Sequence, residues 1–332
     1  MDRKHIVICT EIKDLSWRWI SHHFSNSYHW SFCRVRSSGN GLSVIIFRLM
    51  ASFNAVIKAR RADVIVSHGP YMAFYCALFI WMFRLKTPHI SYSFNFAELP
   101  TGMAKKRMKL LFKRVNYFVV SSNIERLLYS EYFDIPIEQI DFVRWGVAEP
   151  DFELIPSSIE GPYISSVGGN ARDYKTFMAA MAELPEIQAV TVMRPQNLEG
   201  LVVPDNVIVL TNTSRDEALS IIKNSSFTVL PLVSSDVPCG HVTIVAAMYV
   251  GTPCIVTDST GVADYLEDNR TGLVYEPKSI ENLRGLIEKL WIDKSLCNYI
   301  STEAENFVRH DCTELNYVKH LKSILDLSVV VH

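Results

Sequence analysis

The stretch SSVGGNARDYKTF, residues 165–177, sets two cations, Arg172 and Lys175, behind the paired Gly168 and Gly169 and the turn-former Asn170. Glycine lets a backbone come close to a ligand, and the first N–H groups of a helix carry partial positive charge. Full charges added to such a turn suit an anion, each charge-assisted contact being worth roughly 1.5–3 kcal/mol. The spacing fits neither the phosphate loop of nucleoside triphosphatases nor the dinucleotide fingerprint. The plainer alternative is an ordinary turn with two solvated cations. A second stretch, LPLVSSDVPCGHVTIVAAMYVGTPCIVTD (230–258), places Gly240 where a helix begins, with His241 and Thr243 in its first turn. Two helix starts converging on one place would hold a group with two phosphates. A third, DSTGVADYLEDNRTGLVYEP (258–277), supplies Gly261, Asp264 and Gly272 in turns near the same edge.

Such turns need a scaffold that gathers strand ends. Short β-branched runs supply it: HIVICT (5–10), WSFCRV (30–35), DVIVSH (63–68), HISYSF (89–94), YFVVSS (117–122) and IDFVRWG (140–146). Helical patterns fall between them near 15–25, 42–60, 71–84, 103–114 and 123–132. A Pro-, Glu- and Ser-rich loop at 147–162 interrupts the rhythm and is the linker candidate. The alternation then resumes with YISSVG, QAVTVM, NVIVL, FTVLPL and PCIVTD, with helices near 174–183, 215–223 and 241–250, and the C-terminal stretch is helical throughout. Repeated βα units of this length predict an α/β fold of two Rossmann-like doubly wound domains facing a cleft, with ligands outside the carboxyl ends of the strands. The expected division is 1–150 on the acceptor and membrane side and 151–310 on the donor side. A C-terminal helix, 311–332, would pack back on the first domain.

The chain has 332 residues, 48% hydrophobic and 20% charged, which is ample for two buried cores and argues against disorder. Its 33 basic and 35 acidic residues give no global pull toward nucleic acid. Seven cysteines form no CxxC pair, so reduced, core-filling thiols in a reducing compartment are expected. The histidines show no metal-ligand spacing, and no metal or cofactor is expected. No export signal is visible at the start, and the apolar run YMAFYCALFIWMF (71–83) is shorter than the ~20 residues that span a bilayer. A cytoplasmic protein is expected, peripheral on the inner face of the membrane.

That placement comes from TGMAKKRMKLLFKRVNYF (101–118). Lys105, Lys106, Arg107, Lys109, Lys113 and Arg114 crowd one helix beside an apolar stripe of Met108, Leu111, Phe112 and Val115. A basic amphipathic helix suits an anionic membrane surface, and a helix packing its stripe on the sheet is the alternative. His68, Asn95 and Glu98 follow consecutive strands of the first domain and are candidates for the acceptor side, or for loop stabilisation.

The segment AAMYVGTPCIVTDSTGVADYLEDNRTGLVYEP resembles the most recognisable region of retaining GT-B glycosyltransferases of family 4, the glycosyl transferases group 1. VSSNIERLLYSEYFDIPIEQIDFVRWGV (120–147) resembles that family's close of the N-terminal domain, and GGNARDYKTF a branch in which RDY follows the glycine. The likeness spans most of 117–310. It implies sugar transfer from a nucleotide diphosphate sugar, with Arg172 and Lys175 gripping the diphosphate. It also implies donor contacts from Gly168, Gly169, Asn170, Gly240, His241, Thr243 and Asp264. The family usually carries two glutamates eight positions apart, where this chain has Pro238 and Ala246. Asp236 is a substitute for the first, and Asp264 falls where another family glutamate sits.

The function expected is transfer, with retention and without metal, to a glycan or polyprenyl-linked acceptor in surface polysaccharide biosynthesis. A catalytically silent GT-B binding protein and another nucleotide-sugar enzyme, such as an epimerase, stay open as alternatives.

Overall fold

The computed structural model describes residues 3–11, 23–24, 28–35, 41–96, 98–147, 159, 161–233, 239–259 and 261–327. The chain divides into two compact units, one of residues 1–143 with 315–332 and the other of 144–314. Each holds a six-stranded sheet in which every described strand pair is parallel. The fold is thus α/β with two Rossmann-like parallel sheets, one in each unit. The expected helix near 15–25, apart from residues 23–24, and most of the expected linker lie outside the described residues.

In the first unit, strands β1 (Lys4–Thr10), β2 (Tyr28–Arg34), β3 (Val64–His68), β4 (His89–Tyr92), β5 (Tyr117–Val120) and β6 (Ile140–Phe142) run in the order β2-β1-β3-β4-β5-β6. Helices α1 (Leu42–Ala59), α2 (Pro70–Phe83), α3 (Gly102–Phe112) and α4 (Asn123–Phe133) connect them. Side chains alternate across a strand, so β1 feeds two cores. Val7 and Cys9 pack with Ala55 and Val56 of α1 and with Met72 and Cys76 of α2. Ile6 and Ile8 point the other way, onto Tyr317, Val318, Leu321, Ile324 and Leu325. These belong to the final helix, Glu314–Leu327, so the chain's end completes the first unit.

The second unit contains β7 (Ile164–Val167), α5 (Tyr174–Ala182), β8 (Ala189–Met193), β9 (Val207–Thr211), α6 (Arg215–Asn224), β10 (Thr228–Leu230), α7 (His241–Tyr249), β11 (Cys254–Thr257), β12 (Leu273–Tyr275), α8 (Ile280–Ile292) and α9 (Lys294–Asp311); α10 is Glu314–Leu327. Its sheet order is β12-β11-β10-β7-β8-β9. Strand β12 was not expected, because its three residues sit between turns and only their pairing with β11 makes them a strand.

The apolar stripe of α3 is core, a correction to its expected role at a membrane. Met108, Leu111, Phe112 and Val115 pack with Phe94, Phe118 and Phe133. The aromatic cluster of this unit offers far more contact than solvent, and two of the cations are also engaged. Lys109 pairs with Asp134, and the Lys105 ammonium lies 3.5 Å over the Tyr132 ring. The seven cysteines are free, and all but Cys239 are buried.

Candidate functional site

The order of the second sheet reverses direction between β7 and β10: the chain runs outward through β8 and β9, then returns to lay β10 on the other side of β7. Ligands of such sheets sit beyond the carboxyl ends of the strands at this reversal. The two sequence turns singled out above follow β7 and β10, so the topology brings them together. They are stitched by backbone bonds: Asp173 N–H donates to Pro231 O (2.8 Å) and Val233 N–H to Ala171 O (3.1 Å).

Arg172 lies at the centre of this junction. Its guanidinium donates from Nη1 to Asn170 O at 2.9 Å and from Nη2 to Thr243 Oγ1 at 3.3 Å. The plane rests on Gly168, whose φ is +135°; a Cβ there would stand 2.5 Å from Nη2. Glycine is therefore required by both conformation and space. The Tyr174 hydroxyl fixes the turn by donating to Gly168 O at 2.6 Å. Arg172 is half-buried, its Nε has no hydrogen-bond partner, and burial lowers its pKa below the usual arginine value. Among the described residues no carboxylate pairs with it. A desolvated, unpaired cation is costly until an anion arrives.

The two helix starts differ. Helix α5 is closed: Asp173 accepts from Thr176 N–H at 3.2 Å, so a carboxylate already occupies its positive end. Helix α7 is open, with Gly240 (φ +93°) at its N-cap, no side-chain cap and no acid in its first turn. The anion-attracting end is thus that of α7, to which Thr243 ties Arg172. Lys175 is exposed on α5, and Asn170 is also exposed.

A residue the sequence did not single out is Arg194, directly after β8. A Cβ on Gly169 would lie 2.5 Å from its Cγ, so the paired glycines seat one arginine each. The signal was its place after a strand of the same sheet, legible only once that strand was known to neighbour β7.

His241 is clamped between Trp145, with ring centroids 5.9 Å apart, and Tyr265, stacked at 5.6 Å. Burial lowers its pKa to about 4, so it is neutral near pH 7 and offers a hydrogen bond rather than a charge. The Trp145 N–H donates to the Tyr265 hydroxyl at 2.7 Å, and Arg144 Nε to Asp264 O at 2.9 Å, which carries RWGV into the second unit. Asp264 is half-buried and Gly261 buried. Gly272 serves packing, since a Cβ there would collide with Leu266. Ala246 is half-buried on α7, while Asp236 and Pro238 lie outside the described residues.

In the first unit, His68 ends β3, and burial lowers its pKa to about 4. Asn95 donates to Glu125 Oε1 at 3.2 Å, and Glu98 is exposed. Glu125 was missed. It is fully buried, accepts from Ser121 N–H, Ser122 Oγ and the Tyr129 hydroxyl, and burial raises its pKa. Tyr129 in turn accepts from Phe96 N–H, so this carboxyl fixes the loop after β4. The signal was S-x-x-E at the start of α4, where Glu125 N–H donates to Ser122 Oγ.

Residues 195–307 match the family model "Glycosyl transferases group 1". Comparison with curated protein sequences found no match. The solved structures similar to this chain include a glycosyltransferase from Rickettsia africae ESF-5, at TM-score 0.75 and 13% identity, with 100% of both chains covered. Sucrose-phosphate synthase from Thermosynechococcus elongatus has TM-score 0.77 and 14% identity over 99% of this chain and 100% of that one. HepE from Anabaena in complex with UDP and glucose has TM-score 0.77 and 13% identity over 98% and 100%.

Proposed function

We propose that this protein is a glycosyltransferase that moves a sugar from a nucleotide diphosphate sugar to an acceptor hydroxyl, holding the donor in its second unit. The observation that carries this is Arg172, a desolvated guanidinium without a carboxylate partner among the described residues, laid on Gly168 and bonded to Thr243 at the open start of α7. Support comes from the matched family model and from the UDP in the HepE structure.

In the proposed reaction the bond from the sugar's anomeric carbon to the diphosphate breaks, and one to the acceptor oxygen forms with retention. Arg172 and the N-terminal end of α7 meet the charge that develops on the leaving diphosphate, with Lys175 and Arg194 at the rim. The acceptor proton passes to the departing phosphate, so no protein base and no metal are required. Neutral His241 donates or accepts one hydrogen bond beside the sugar. Asp264, Gly169, Asn170 and Gly240 complete the donor side, and His68, Asn95 and Glu98 the acceptor side. The acceptor is a glycan or a polyprenyl-linked glycan of surface polysaccharide synthesis. The enzyme works on the inner face of the membrane, aided by Lys106, Arg107, Lys113 and Arg114, which are exposed, and by Lys105 and Lys109.

One observation favours a second reading, a binding protein without turnover: α7 carries Ala246 where the resembled family has a glutamate. A melting-temperature screen against nucleoside diphosphates and their sugars, followed by product analysis of the best donor, separates the two. Stabilisation with neither transfer nor hydrolysis supports the silent protein; no stabilisation by any diphosphate overturns both.

A further inference from the structure

Helix α2 is apolar on every side, PYMAFYCALFIWMF, yet only part of it is buried. Tyr71, Trp81 and Met82 are exposed, Trp81 by 53%. Beside it, α1 turns a row of large apolar side chains outward: Leu42, Ile45, Ile46, Met50, Phe53 and Ile57, with Leu42 77% exposed. Their spacing of three and four residues makes one continuous stripe on the face opposite Ala51, Ala55, Val56 and Ala59, which pack on the sheet. On α3, Met103 and Leu110 are exposed among Lys106, Arg107, Lys113 and Arg114.

The three helices form one layer. α1 packs on α2, and α2 on α3, all within the first unit. Segments 41–62, 70–88 and 99–118, which hold these helices and their ends, contain twelve Lys and Arg and no Asp or Glu, in a chain whose totals are 33 and 35. Arg60, Arg61, Arg84, Lys86, Lys113 and Arg114 follow the helix C-terminal ends and line one border of the layer. An apolar surface of this extent on a folded unit marks a docking face.

We infer that this layer, led by the outer stripe of α1, seats the protein in an anionic lipid surface, its apolar side chains entering the acyl boundary and its cations meeting headgroups. The charge decides the occupant: a second copy would oppose like charges, whereas an anionic bilayer complements the cations left after Arg48 pairs with Glu11 and Lys109 with Asp134. α1 is 18 residues long with mean hydropathy 1.6, enough by length and composition to cross a membrane. It cannot cross here, because it joins β2 to β3 and both pair with β1 in one sheet. It lies along the interface instead. The inference deepens the membrane placement proposed above and moves its apolar contribution from α3, whose stripe is core, to α1 and α2.

The test uses the full chain with vesicles of phosphatidylglycerol mixed into phosphatidylcholine, and of phosphatidylcholine alone. Leu42→Ser, Ile46→Ser and Met50→Ser together should lower partition into the anionic vesicles by about tenfold or more, since burying each large apolar side chain is worth that order. The melting temperature and nucleotide-induced stabilisation of this variant should match the parent's. Trp81 emission, isolated as the difference from Trp81→Phe, should shift to the blue and be quenched by brominated lipid. Lys106→Gln with Arg107→Gln should weaken binding chiefly at low salt. Unchanged partition of the triple variant, or a Trp81 that ignores the vesicles, overturns the inference. So does a concentration-dependent dimer that the triple variant abolishes while vesicles go unbound, for then the face belongs to a second copy. Vesicle binding that persists when no nucleotide binds would sink the donor reading and leave this one standing.

Discussion

At the scale of single residues, the site rests on how Arg172 is held. Its contacts are two carbonyls, of Asn170 and Val167, and the Thr243 hydroxyl, and a Cβ on the glycine beneath it would displace it. Arg172→Ala should weaken binding of a nucleoside diphosphate by about 1.5–3 kcal/mol, tenfold to over a hundredfold. The melting temperature of the free protein should hardly move, because the lost bonds are offset by relief of a desolvated charge. Calorimetric titration decides it: equal diphosphate affinity in parent and variant removes Arg172 from the site.

At the scale of elements, α10 shows how a distant segment completes a unit. Tyr317, Val318, Leu321, Ile324 and Leu325 are buried against β1, β3 and β4. At about 1.5–3 kcal/mol for each, their burial is comparable with the whole stability of a domain. Leu321→Ala should cost about 2–5 kcal/mol, read as a lower denaturant midpoint of the first unit. A loss below about 1 kcal/mol would mean that α10 is only loosely applied.

At the scale of the whole molecule, pH and metal are the levers. Burial lowers the pKa of His68 and His241 to about 4 and of His89 to about 3, and it lowers that of His320 as well. Each is therefore neutral in the fold, and its contribution is fully present above the ordinary value of 6.5 and lost as pH falls toward about 4. Glu125, raised by burial, acts in the opposite sense but is one group among these. The melting temperature should fall between about pH 7 and pH 5, and less steeply in His241→Phe, which keeps the aromatic stack. A flat profile would contradict the burial of these rings. Nucleotide-induced stabilisation and transfer should persist in EDTA if, as proposed, fixed donors, Arg172 and the start of α7, meet the diphosphate charge. Strict dependence of both on magnesium or manganese would refute the proposed phosphate site.

Local physics made much of this legible in the sequence. β-branched runs and helical periodicity located eleven of the twelve described strands and helices α1 to α7 to within a few residues, whereas α8 and α9 lay undivided in a stretch read as helical throughout, and the glycine turns marked both strand ends of the site. The ends of elements carry their own signals, such as Ser214 and Glu217, which cap α6 reciprocally. Contacts between distant segments carry none. Whether a helix start is open, as in α7, or closed by its own aspartate, as in α5, depends on how the chain folds back at that point. That Arg194 covers Gly169, and that Thr243 meets Arg172 across 71 residues, follows from strand order. The stripe of α3 and the stripe of α1 look alike in sequence, and only packing decides between them. The sheet and the Phe94 cluster bury the first, and the second is left facing outward because nothing among the described residues covers it.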